Sequence, residues 1–458
     1  MSTQPTSPAE VPAATQAGAH PTSTAGTFTA SEGYRYYVLW LLFVVYGLSY
    51  VDRQILSILM EPIREEFSFS DMQLGLLSGV AFAIFYTTLG IPIARYADHH
   101  SRVNIIAISL LVWSAATALT GRAYGFLQLF LARVGVGIGE AGCNPSAYSI
   151  ISDYYGPKRR ATVLSIYSLG VYLGQFMGFV VAGYAAQRYG WRAAFYIVGL
   201  PGVAMAIVVK LTLREPPRGF SDANYVPAEP PPTWQVLRTL LAKPSFVNLS
   251  FASGLHALVA YGLNNFYSAF LMRSHGMSLT ETSAALAVIT LSGGLVGTYL
   301  GGKLSDVLGQ RHGGDPRYQL WVPAVALLIN IPVWLLALLV PGKQAVMLLM
   351  VPAIALGATY LGPSIAATHQ LVGVRERALG GALLLLVLNL IGIGLGPLLT
   401  GRISDVIRES LMDQGIAEAL ARADGLKYAL CIMSVVNLWS AVHYFRAART
   451  LRADIARV

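Results

Sequence analysis

Twelve apolar runs, most of them long enough to cross a ~30 Å hydrocarbon core as a helix of about 20 residues, follow one another along this chain. They fall at roughly 36–60, 72–97, 103–122, 125–154, 161–187, 192–213, 245–272, 280–306, 320–340, 344–371, 377–405 and 425–448. A backbone in lipid must satisfy its own hydrogen bonds, which leaves helices and closed barrels, and these runs are far longer than barrel strands of about 10 residues. The fold class expected is an all-α membrane protein with twelve transmembrane helices. Only 12% of the 458 residues are charged, about half the share in a soluble domain, so a soluble enzyme is excluded.

The pattern repeats after six helices. Gly174, Gly178 and Gly183 in the fifth run are matched by Gly392, Gly396 and Gly401 in the eleventh, displaced by 218 positions. The match extends outward: 139–145 with 156–161 is echoed by 357–363 with 373–378, and Tyr46-Gly47-Leu48 by Tyr261-Gly262-Leu263. The chain therefore divides into two pseudo-symmetric six-helix bundles, 34–213 and 244–450. A polar linker at 214–243 holds Pro230-Pro231-Pro232 and a candidate amphipathic helix at 233–241. An even number of spans between repeats gives parallel halves related by an axis along the membrane normal, the arrangement of transporters that rock about a central site. The glycine spacing suits close helix approach, either for sliding or for static packing.

The first 33 residues, rich in Pro, Ala, Thr and Ser, read as a retained disordered tail and not as a signal peptide; 451–458 form a second tail. With both termini in the cytoplasm, about 20 of the 32 Lys and Arg lie on that side, about 10 on the other and two within the membrane. This is the positive-inside asymmetry. It assigns the basic clusters, and the net charge of +9, to topology and contact with membrane lipids and not to nucleic acid. Cys143 and Cys431 belong to no Cys/His pattern, so inert thiols, no disulfide, no metal and no cofactor are expected. A single copy suffices for rocking, so a monomer is expected.

Four charges lie inside the first half's spans: Asp52 and Arg53 in the first, Arg133 and Glu140 in the fourth. Intramembrane charges are costly and by default mark an ion or substrate pathway. Arg133 and Glu140, seven apart, share a helix face about 10.5 Å apart, whereas Asp52 and Arg53 diverge by about 100°. One of the pair can face Arg133 while the other faces Glu140 or a cavity. A fixed ion-pair network tying the two helices is one reading. A carboxylate that exchanges a proton beside an arginine able to hold an anion is the other, with Asp52 the first proton carrier and Glu140 the second. The second half places Tyr267, Ser268, Val351 and Ala358 at the matching positions. Its intramembrane ionisable residues, His256 and His369, read as hydrogen-bonded structural histidines. Tyr261, Asn264, Asn265 and Tyr267, with Phe266 and Phe270, are candidates for a largely apolar opposite wall.

Ala94-x-x-Ala97-Asp98-x-x-Ser101-Arg102 and Gly302-Lys303-Leu304-Ser305-Asp306-x-x-Gly309 resemble the two loop motifs of the major facilitator superfamily over about residues 34–450. The first copy departs from the pattern at Ala94, His99 and Ser101. That resemblance implies the major facilitator fold and a cytoplasmic gate at Asp98, Arg102 and Asp306. Within the superfamily, Tyr50-x-Asp52-Arg53 combined with Arg133-Val-Gly-Val-Gly-Ile-Gly-Glu140-Ala141 resembles the Spinster family, whose animal members export sphingosine 1-phosphate or move lysophospholipids. The resemblance implies Asp52 and Glu140 as protonation sites, with Arg53 and Arg133 partnering the network or a lipid head. The short loops point to a bacterial member in the inner membrane.

The function expected is proton-coupled transport of an amphipathic lipid-like substrate. A hydrophilic organic anion such as a sugar acid is the alternative, favoured if Asn264, Asn265 and Asn389 line the cavity. A membrane receptor is the remote one. No Walker A loop, HExxH or partnered GxSxG supports an enzyme.

Overall fold

The computed structural model describes residues 28–221, 232–373 and 376–457. The expected disordered tail as far as residue 27, Pro230 and Pro231 of the linker, and the end of the second tail at residue 458 lie outside the described residues, as does the side chain of Lys158.

Several apolar runs are single helices and others are broken. The first half comprises α1 (Glu32–Phe67), α2 (Asp71–Ser78) with α3 (Val80–His99), α4 (Arg102–Thr120), α5 (Phe126–Glu140) with α6 (Cys143–Tyr154), and α7 (Pro157–Thr212). The last contains two spans, because Gly190 takes a left-handed φ of 83° between them. The linker helix α8 (Thr233–Leu241) precedes α9 (Pro244–His275), α10 (Leu279–Arg311), α11 (Tyr318–Leu339), α12 (Lys343–Gly357) with α13 (Leu361–Gln370), α14 (Arg377–Asn389) joined by a π turn to α15 (Gly396–Asp413), and α16 (Glu418–Val435) with α17 (Asn437–Ile455). Several helices outrun their apolar runs: α1 begins at residue 32, where Ser31 Oγ accepts from Tyr34 N at 3.2 Å, and continues to residue 67. Serine capping and polar turns prolong a helix beyond lipid, so hydropathy marks its membrane portion only.

Two of the breaks meet where the halves cross. Gly79 separates α2 from α3, and a Cβ there would lie 2.8 Å from the carbonyls of Ile393 and Gly394 in the π turn. Two irregular helices thus cross backbone to backbone, with the wider π turn making room. The repeated glycines divide their work in the same way in each half. Gly174 and Gly178 pack on Gly47 and Val51 of α1, and Gly392 and Gly396 pack on Ala257 and Leu258 of α9. The third glycine reaches across: Gly183 meets Ser283 of α10, and Gly401 meets the Asp71 carbonyl of α2.

Both third-glycine contacts lie toward the membrane end opposite the chain termini. Nearer the middle of the halves, the Tyr172 and Thr298 hydroxyls share a hydrogen bond. At the terminal end, Asp98 and Asp306 are exposed and make no ion pair among the described residues. The halves therefore splay at the terminal end and close at the far end.

A clip at the terminal end holds the second half together. Asp315, between α10 and α11, accepts from Arg317 Nε at 2.9 Å and Arg452 Nε at 3.0 Å. Burial works against its charge, yet these bonds hold its carboxyl down at about 2. A depressed carboxyl stabilises the fold above its unfolded pKa of about 4 and ceases to do so as the pH falls through its folded value. Asp315→Asn is accordingly expected to lower the thermal midpoint at neutral pH, with the deficit shrinking below about pH 4. An equal deficit at every pH would contradict the clip.

Candidate functional site

Arg53 and Glu140 form an ion pair between α1 and α5, with Arg53 Nε and Nη2 donating to Glu140 Oε2 at 2.8 and 2.6 Å. Asp52 points the other way. Its backbone carbonyl lies 3.4 Å from Arg133 Nη1, and its carboxylate sits near Arg133, Glu140 and, on α4, Thr117 and Trp113. Asp52, Arg133 and Glu140 are all buried. Among the described residues, Asp52 Oδ1, Glu140 Oε1 and Arg133 Nε find no hydrogen-bond partner. The divergence of Asp52 and Arg53 expected from helical geometry thus sends each to a different partner. A fully satisfied structural ion pair leaves no such buried polar atoms, so the cluster has capacity for a proton or a ligand.

An aromatic cage encloses Arg53. Its guanidinium carbon lies 5.0 Å from the Tyr50 ring centroid, 4.9 Å from Phe82 and 4.7 Å from Tyr86. Ring faces attract the cation and limit how much anion can replace Glu140. Phe82 and Tyr86 were not singled out by sequence reasoning, since an aromatic on a span is ordinary packing until its helix is placed. Gly137 places it: a Cβ there would lie 2.5 Å from the Phe82 carbonyl, so its absence lets α3 approach α5. Gly137→Ala is expected to cost about 1–3 kcal/mol by overpacking and lower the thermal midpoint. Gly90→Ala, whose new carbon would be 4.0 Å from the nearest atom, is the control. Equal effects would refute the close-approach role.

Glu140 is also the last residue of α5, and α6 resumes at Cys143. The break puts a carboxylate at an interruption of its own span.

From the second half, Tyr261 comes close enough to Arg53 and Tyr86 to interact electrostatically. Asn264 and Asn265 engage the first half through their backbone carbonyls, which face Ser57 Oγ at 3.2 Å, while the Asn265 amide donates to its own helix at Tyr261. Tyr267 is buried and stacks on Trp334 at 5.2 Å, so the expected cavity position gives way to packing between α9 and α11. Alternating positions on one helix cannot all face one cavity, and Tyr267 lies on a different side of the helix from Tyr261.

The gate residues separate. Arg102 is buried within the first half, where it donates to Glu215 Oε1 at 2.7 Å, Ser149 Oγ at 2.8 Å and the Pro216 carbonyl at 2.8 Å, and pairs with Asp153. In this state it fastens α4 to α6 and the segment after α7, and does not brace the other half. Asp98 and Asp306 are exposed at the splayed end, with no ion pair among the described residues.

A second charge cluster closes the far end and escaped the sequence reading. Arg273 of α9 donates to Glu61 Oε2 of α1 at 2.8 Å and grips both oxygens of Asp71 at 2.8 Å. Ser404 donates to Asp71 at 2.7 Å, and Asp405 accepts from the backbone N–H groups of Asp71 and Met72 at 3.2 and 2.8 Å. Asp405 thereby satisfies the opening N–H groups of α2 from across the interface, where a carboxylate is also favoured by the helix dipole. These residues fall near span ends, where charge is ordinary, so only the fold brings them together.

Two six-helix halves, packed together at one end and splayed at the other, with a buried charged cluster inside the first, have the architecture of a membrane transporter. The chain belongs to the Major Facilitator Superfamily, whose profile matches residues 42–397. It shares 34% identity over 422 residues with an MFS-type efflux pump of Mycolicibacterium smegmatis, covering 91% of this chain and 93% of the pump. Protein spinster homolog 1 of Homo sapiens is 27% identical over 432 residues, 90% of this chain and 80% of the homologue. A hexuronate transporter of Bacillus subtilis is 24% identical over 271 residues, 59% of this chain and 64% of the transporter. Among solved structures, a bacterial homologue of the human lysosomal transporter Spinster, in an inward-facing and unoccupied conformation, matches with a TM-score of 0.85 and 36% identity over 93% of this chain and 99% of the homologue.

Proposed function

We propose that this chain is a proton-coupled transporter of a lipid-like amphiphile, of the lysophospholipid or sphingosine 1-phosphate kind, in a bacterial inner membrane with both termini cytoplasmic. On that orientation the state described is open to the cytoplasm. The observation that carries the reading is the buried cluster of two carboxylates and two arginines at the α1–α5 contact, with Glu140 divided between Arg53 and a free oxygen. With both acids ionised the cluster is neutral. A proton taken up by Asp52 or Glu140 leaves one guanidinium uncompensated, and an anionic head can then replace the lost charge. The cluster's charges lie in the first half, which leaves Tyr261 and its neighbours as the surface for a tail. The likeness to Spinster proteins agrees with the family resemblance from which the lipid class is inferred. The hexuronate relative favours a second reading, in which the same arginines hold a small carboxylate.

Equilibrium binding in nanodiscs separates them. Lysophosphatidate is expected to bind saturably and to weaken about tenfold or more in Arg53→Gln, the loss of one charge-assisted hydrogen bond. Saturable glucuronate binding without lipid binding would replace the first reading by the second.

A further inference from the structure

We infer that His256 is a second proton-binding site, set in the half that lacks the acidic cluster, and that it carries an imidazolium in the state described here. Both ring nitrogens sit at hydrogen-bond distance from acceptors: Nδ1 is 2.9 Å from Asn437 Oδ1 and Nε2 is 2.9 Å from the Gly357 carbonyl. A neutral imidazole has one N–H and one lone pair, so it can donate to only one of them and turns its lone pair on the other; an imidazolium donates to both.

The orientation of the Asn437 amide is fixed by a relay. The Ala353 carbonyl can only accept, so Asn330 must present its Nδ2 there, at 2.6 Å. Asn330 Oδ1 then faces Asn437 Nδ2 at 2.9 Å, which leaves Oδ1 of Asn437 for the histidine. Reversing either amide sets oxygen against oxygen. His256, Asn330 and Asn437 are all buried, so bulk water does not compete for these contacts.

The Gly357 carbonyl adds a second argument. It closes α12 at the break before α13, and the carbonyl end of a helix favours a cation. Burial opposes the charge, and two fixed acceptors with a helix end work in the other direction. From α9 itself, Ser253 leads to Tyr444 of α17 and Ser364 of α13. Tyr360 meets the ring edge-on at 4.5 Å. No carboxylate, lysine or arginine among the described residues pairs with His256. The proton thus ties α9 to the breaks in the tenth and twelfth spans, at Gly357 and Asn437. Its loss sets a lone pair against one of those two acceptors and frees that joint.

This inference goes beyond the transport reading and is tested without any substrate. Leu255-His256 is the one Leu-His step in the sequence. Carbonyl-13C leucine with uniformly 13C,15N-labelled histidine therefore selects this residue in the wild-type protein, and correlation along its side chain reaches the ring nitrogens by solid-state NMR. At about pH 7.5, where an ordinary histidine is mostly neutral, His256 is expected to show the nearly equal pair of nitrogen shifts of an imidazolium. Asn437→Leu, which removes one acceptor, is expected to lower the pH at which this pattern disappears by about one unit or more, a tenfold or larger loss of proton affinity. The widely split shifts of a neutral ring in the wild-type protein at that pH would overturn the inference. So would a titration indifferent to Asn437→Leu.

Discussion

Replacing Glu140 with glutamine is expected to abolish transport driven by a pH gradient and to dissolve the Arg53 pair. Arg53 would remain caged by Tyr50, Phe82 and Tyr86 with no carboxylate bonded to it. Stranding a buried charge in this way costs about 3–5 kcal/mol, or more than about 100-fold in the population of the state that contains the pair. Asp52→Asn tests proton carriage with the Arg53–Glu140 ion pair left in place. It is expected to eliminate proton-coupled movement while substrate exchange across equal pH continues. Exchange lost together with coupling in Asp52→Asn would make Asp52 a scaffold of the site; coupling retained would remove it as the carrier. Counterflow and gradient-driven uptake, measured side by side in proteoliposomes, distinguish these outcomes.

Arg273→Ala is expected to have the second large effect, on the far end of the molecule. Arg273 compensates Glu61 and Asp71 at once, with its three hydrogen bonds to them each 2.8 Å long. Without it, Asp71 is left beside Glu61 with no arginine bonded to it, Glu61 keeping only Arg64 of its own helix, and the closed end is disfavoured by up to about 3–5 kcal/mol. Asp405 and the opening backbone of α2 then have to hold the halves against that repulsion. Tyr124 and Met412 are exposed near this end in opposite halves. Spin labels at Y124C and M412C, with Cys143 and Cys431 replaced, are expected to show a longer distance population in Arg273→Ala than in the parent. An unchanged distribution would mean that Asp405 and the glycine contacts at Gly183 and Gly401 keep this end shut without Arg273.

The architecture was legible because lipid imposes a strong rule on sequence: apolar runs of helical length, repeated with one set of glycine spacings, specify spans and halves before any contact is known. The four central charges were legible for the same reason, since charge within a span is conspicuous. What the runs conceal are the helix interruptions at Gly79, Ala141 and Gly142, and the π turn at Leu390–Leu395, because broken and unbroken helices are equally apolar. The latch of Glu61, Asp71, Arg273 and Asp405 was illegible for the opposite reason. Charges near the ends of spans are common, and their pairing needs four helices from both halves to be placed. Tyr267 shows a third limit: type and position made it a plausible wall residue, but the helical phase that turns Tyr261 toward Arg53 turns Tyr267 onto Trp334. His256 combines these cases, visible in sequence as an intramembrane histidine, yet informative only through the two acceptors that face it.

Proton flux in proteoliposomes tests the central claim most directly. An internal pH dye would follow the wild-type protein and Asp52→Asn after addition of lysophospholipid, sphingosine 1-phosphate or a panel of small sugar acids. The account expects a lipid-evoked proton movement in the wild type that is absent in Asp52→Asn. A proton response to sugar acids alone would replace the lipid with a hydrophilic anion, and lipid movement with no proton response would contradict the coupling assigned to the four-charge site.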